Sequence, residues 1–148
     1  MNTSQLMTQT FEQLTQQLSP DAGIAIEVNT RWVKEMAHFL NEYDMDDARR
    51  QCILGCYVLL RLSLQSHGDV QEDKQELTRK ILDGDYLQSI YYEYALAHHA
   101  MDLLNALAPV IKTIHIRRIE GKPAEYILPT AIHQFVTYRY SKAAYEVI

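Results

Sequence analysis

Leu82 to Ile111 reads LDGDYLQSIYYEYALAHHAMDLLNALAPVI, and the spacing of its apolar residues decides the fold class. Leu87, Ile90, Tyr94, Ala97, Met101, Leu104, Ala108 and Ile111 follow one another at intervals of 3, 4, 3, 4, 3, 4 and 3. That alternation puts one apolar seam along a helix, in the register of helices laid almost parallel. Pro109 is expected to kink the run or to open a new helix at its first turn. Asp83 and Asp85 flank Gly84 just before the seam. Carboxylates there suit the positive end of a helix and accept its free N–H groups, so they are expected to act as caps. A magnesium site needs converging carboxylates, and two acids around a glycine do not show convergence.

The rest of the chain carries the same period. Met7, Phe11, Leu14 and Leu18 predict a first helix that stops at Ser19-Pro20-Asp21. Thr30 is placed to cap a second helix carrying Val33, Met36, Phe39, Leu40 and Tyr43, and Asp46 a third that runs to about Ser66. Ser66-His67-Gly68-Asp69 should break that helix, and the acidic run Asp69 to Glu76 reads as a solvated loop and helix start. After the seam, Gly121 is a C-terminal cap behind a basic last turn. Pro123 and Pro129 bracket a short connection to a final helix starting at Thr130. With 5 glycines, 4 prolines and almost no apolar–polar alternation, the 148 residues predict one all-α domain. Residues 1–30 are left between a peripheral helix and a part of the bundle.

Composition narrows the function classes. A net charge of −5 gives a nucleic-acid role no electrostatic footprint. The longest apolar stretch, Ile53 to Leu60, is far short of the roughly 20 residues of a membrane span. The N-terminus lacks the pattern of a secretory signal. Cys52 and Cys56 lack the companions of a zinc site and read as two reduced, buried thiols of a cytoplasmic protein. His98-His99 point about 100° apart on a helix, and neither follows a Glu by three residues, so they read as surface or interface imidazoles. Arg117 and Arg118 offset a helix dipole, with phosphate contact the alternative. No nucleophilic triad is legible.

An ordered set of motifs extends beyond the seam. His67, then Gly68-Asp69-Val70-Gln71-Glu72, then Gly84-Asp85-Tyr86-Leu87, then Glu120-Gly121 resembles a central block of the trans-prenyltransferases, over about 55 residues. The resemblance implies an all-α bundle corresponding to part of the isoprenoid synthase fold. In that family an Asp-rich motif holds the magnesium that helps an allylic diphosphate leave. Here Gly68 stands at its first aspartate and Glu72 at its last, with Asp69 between, so the acid set is broken. No second Asp-rich motif and no Gly-Gly-Lys-Arg segment occurs, and catalytic members are about twice as long. The pattern is similar to the small subunit, component 1, of two-component heptaprenyl or hexaprenyl diphosphate synthases.

The implied role is non-catalytic: assembly of active enzyme and control of product length in making the menaquinone side chain. The chain would be inactive alone and hold no cofactor, with Mg2+ in the large catalytic subunit. Farnesyl and isopentenyl diphosphate would be met only through the complex. Leu87, Ile90, Tyr91, Tyr94, Ala97, Met101 and Leu104 are the expected partner interface, with a fully internal core as the alternative. Tyr86, Ile90, Tyr91 and Tyr94 are the candidates for setting chain length. A helical adaptor unrelated to isoprenoids is the competing reading. A self-sufficient short prenyltransferase lacks the motifs it would need.

Overall fold

The computed structural model describes residues 1–27, 30–68 and 73–143. Six α-helices follow one another: α1 (Thr3–Gln17), α2 (Arg31–Leu40), α3 (Asp47–Gly68), α4 (Lys74–Ala97), α5 (Met101–Ile119) and α6 (Ile127–Arg139), with a 3-10 turn at Pro20–Ala22. Among the described residues no strand forms, and Tyr43 and Lys142 make a single antiparallel bridge. No helix among them is long and apolar enough to cross a membrane.

Local chemistry accounts for most helix starts. The Asn2 side chain accepts from the Gln5 N–H at 2.8 Å while the Gln5 side chain accepts from the Asn2 N–H at 3.0 Å. This reciprocal box satisfies two donors that a helix start leaves open. Asp46 accepts from the Arg49 N–H at 2.7 Å, as its position before α3 predicts. Thr30 precedes α2, but its side chain makes no capping bond. Gly121, at φ +70°, follows α5 where a left-handed residue ends a helix most easily.

Helix α3 is the centre of the molecule. Gln51 to Leu60 are buried without a gap, so neighbours cover every side of this stretch. Helix α4 lies along it as the other arm of a hairpin, and α1, α2 and α6 also pack on α3. Leu6, Phe11 and Leu14 of α1 are buried, so the N-terminal helix is part of the core rather than peripheral. At the start of α3, Arg49 pairs with Asp102 of α5 and donates to the Tyr140 hydroxyl after α6, joining three parts of the chain.

Three expectations fail, each for a local reason. Helix α4 starts at Lys74, capped by Asp73, which accepts from the Gln75 N–H at 2.8 Å. Asp83, Gly84 and Asp85 therefore sit in mid-helix and cap nothing. The seam is not one helix, because α4 ends at Ala97 and α5 begins at Met101. His99 turns left-handed at φ +58°, and the Ala100 N–H closes a wider turn onto the Ala95 carbonyl at 2.8 Å. Pro109 lies inside α5 without ending it. Pro129 lies in the first turn of α6, where the missing N–H would be unpaired anyway, so α6 starts at Ile127 and not at Thr130. The last part of the expected final helix, 144–148, lies outside the described residues.

Candidate functional site at the open end of the α3–α4 hairpin

Two glycines let α3 and α4 approach closely, and each admits a ring from the opposite helix. At Gly55 of α3, an added Cβ would stand 2.6 Å from the Tyr94 ring; at Gly84 of α4, one would stand closer still to the His67 ring. Neither position has room for a side chain while its partner ring stays in place. The two joints have opposite surroundings. Tyr94 is buried, and its hydroxyl donates to the Gln13 side chain at 2.8 Å. Gln51 joins this network through Gln13 and through Gln9, the latter at 2.7 Å. Burial pushes the Tyr94 and Tyr91 hydroxyls well above the ordinary phenol range. This end is sealed.

The Gly84 joint instead opens on a cavity of about 1080 Å³ between the last turns of α3 and α5 and the first half of α4. His67, in the last turn of α3, packs on Gly84 and meets Asp85 through Nε2 at 2.8 Å. Its Nδ1 is buried without a hydrogen-bond partner among the described residues. Ser63 donates to the Gly84 carbonyl at 2.7 Å and fixes the register of the two helices there. From α5, the His115 ring comes to 5.9 Å from His67. Arg118, one turn on, donates to the Leu64 carbonyl of α3 and lies against Gly68. Burial lowers the His115 pKa, and the neighbouring His67 and Arg118 lower it further by like-charge repulsion. Burial also lowers that of Arg118. Leu62 and Leu87 give the cavity apolar wall.

Of the residues expected to form a broken Asp-rich motif, Gly68 ends α3, while Asp69 and Glu72 lie outside the described residues. Among the described residues, no group of three or more His, Cys, Asp or Glu side chains is placed to hold a metal ion.

The expected interface residues separate into two sets. Leu87, Ile90, Tyr91 and Tyr94 are buried inside the chain itself, so their atoms serve the core and are not presented to a partner. The internal reading of the seam holds for that half. Ala97 and Met101 are exposed and Leu104 is half-buried. Of the chain-length candidates, Ile90, Tyr91 and Tyr94 are core residues away from the cavity lining. Tyr86 is half-buried, and its hydroxyl accepts from the Ser19 N–H at 2.8 Å, which ties the loop after α1 to α4. Leu87 is the seam residue that reaches the cavity. Cys52 and Cys56 are free and buried, and hydrogen bonding between them lowers the Cys52 pKa while raising that of Cys56.

Sequence reasoning missed the outer side of α4 and α5. Leu77, Ile81, Tyr92 and Leu96 on α4, and Met101 and Ile116 on α5, are large apolar side chains left exposed. The signal was present, since Leu77, Ile81, Gln88, Tyr92 and Leu96 recur at helical spacing, a second stripe beside the seam. His115 was missed as well, although its i, i+3 spacing from Arg118 puts both on one face.

No family model, curated protein or solved structure matches the chain.

Proposed function

We propose that this chain is the non-catalytic subunit of a two-component long-chain trans-prenyl diphosphate synthase, acting in the cytoplasm. The observation that carries the reading is the meeting of two motif segments that are distant in the sequence. His67, at the end of α3, packs on Gly84 and meets Asp85 on α4 at 2.8 Å, at the mouth of a large cavity. The motif order read from the sequence is thus also a contact in space. With Gly68 in place of an acid, this mouth lacks a carboxylate that prenyl transfer would need, so magnesium chemistry belongs to the catalytic partner.

The surface offered to that partner is the outer side of α4 and α5. Tyr92 and Leu96 stand just before the turn at 98–100, and Met101 just after it. Exposed apolar residues at helical spacing suit packing against a partner helix. Product length would then be set where Leu62 and Leu87 line the cavity, rather than by the buried tyrosines.

Reconstitution tests the reading. The chain is mixed with the large subunit of a two-component heptaprenyl or hexaprenyl diphosphate synthase, and incorporation of labelled isopentenyl diphosphate onto farnesyl diphosphate is measured with magnesium. Long-chain product from the mixture and none from either chain alone is the expected result. No gain on mixing would favour the adaptor reading, and turnover by the lone chain would overturn both.

A further inference from the structure

The α3 and α5 walls of the cavity carry hydrogen-bond donors with unused capacity. Arg118 gives one N–H to the Leu64 carbonyl, and no carboxylate among the described residues stands within ion-pair distance of it. A guanidinium has five N–H donors in a planar fork, the shape that recognises a phosphoryl group. His115 makes no side-chain hydrogen bond among the described residues, and the buried Nδ1 of His67 has no partner. Asp85 holds the other nitrogen of His67, so when the ring is protonated Nδ1 becomes a free donor. The centres of the His67 and His115 rings are 5.9 Å apart, and both residues line the same cavity.

We propose that His67, His115 and Arg118 form a binding site for a phosphoryl oxyanion, held by side-chain donors without a metal ion. Burial chiefly, and then repulsion from His67 and Arg118, keeps His115 neutral more readily than an ordinary imidazole. An anion between them offsets that repulsion and draws a proton onto His115. Other charges face the site. Arg79 and Lys80 on α4 oppose Glu76, Asp83 and Asp85 of the same helix, and Glu125 follows α5. The α4 wall is thus mixed in sign, while the titrating and cationic groups contributed by the α3 and α5 walls are these three. The site depends on these side chains and not on the prenyl reading, so it survives a failed reconstitution.

Calorimetry of the full chain with inorganic phosphate tests it, at about pH 6 and about pH 8, on either side of the ordinary imidazole range, at matched ionic strength. Binding at the lower pH, weaker by about tenfold or more at the higher, is expected. Arg118→Gln and His115→Asn should each lose about tenfold while keeping the wild-type circular dichroism. Histidine NMR should show the His115 pKa rising when phosphate is added. A short alkyl phosphate separates the sources: tighter binding than inorganic phosphate means a ligand with an apolar tail against Leu62 and Leu87, and equal binding means a free anion. No binding by the wild type at about pH 6, unchanged affinity in both variants, or an equal response to chloride would overturn the proposal.

Discussion

The two ends of the α3–α4 hairpin use the same device for different purposes. Each has a glycine on one helix and a ring from the other seated on it. At Gly55 the ring is Tyr94, closed in by core and held by Gln13 and the Gln51 carbonyl. At Gly84 the ring is His67, with a cavity beyond it and an Nδ1 that has no hydrogen-bond partner among the described residues. The Tyr94 hydroxyl is satisfied inside the core, although the neighbouring Tyr91 hydroxyl is buried without a partner among the described residues. The His67 ring instead borders a cavity that a ligand can enter. The pair therefore separates the part of the chain that holds the fold from the part that is free to act.

Tyr94→Ala is the strongest way to break the closed end. It removes a buried ring and strands the Gln13 acceptor, and should cost about 3–5 kcal/mol in denaturant unfolding. A loss under about 1 kcal/mol would mean that this end is not the stabilising one.

The two glycines sharpen the comparison. Gly55→Ala drives a methyl group into a ring that cannot move, and should cost about 1–3 kcal/mol. Gly84→Ala tests whether the His67 ring, which borders the cavity, can turn aside. The helical gain of about 1 kcal/mol for alanine over glycine should then leave stability nearly unchanged, while NMR shows the His67 ring no longer bonded to Asp85. Equal losses at both glycines would erase the distinction drawn between the joints.

Acid should act on the open end. His115 has a lowered pKa in the folded chain, and so does His133, which is stacked on Phe39. Below the ordinary imidazole value of about 6.5, the unfolded chain binds more protons at these positions than the folded one. Stability should therefore fall as pH drops through that value and level off once both states are protonated. His115→Asn should flatten part of the slope in phosphate-free buffer, and an unchanged slope would show that His115 does not couple to folding.

The smallest stability effect is expected on the outer side. Tyr92→Glu and Leu96→Glu change exposed residues and should alter the melting temperature little, while weakening assembly with a catalytic subunit in sedimentation. Assembly at wild-type strength would move the partner surface elsewhere.

Much of the helix pattern was legible because it is local. Met7, Phe11 and Leu14 set the face of α1, Asp46 marked the start of α3, and Gly121 marked the end of α5. The acidic run Asp69 to Glu76 read as loop and helix start, and Asp73 does cap the start of α4. Asp83 and Asp85 beside a glycine suggested a cap that does not exist. The break at 98–100 has neither glycine nor proline to announce it, and the two prolines that looked like breakers sit within helices. The seam fixed which residues share a side of α4 but not what covers them. Leu87 to Tyr94 proved internal because α3 is buried all round and needs α4 against it. The cavity was not legible, since His115 and Arg118 come from another helix about 50 positions from His67 and only the fold brings them together.

Hydrogen exchange of the chain alone and in a mixture with the large catalytic subunit probes the division of labour most directly. Slower exchange on mixing at 92–101, with 51–56 equally protected in both samples, is the expected pattern. An unchanged profile at 92–101 under conditions where the mixture makes long-chain product would contradict the account.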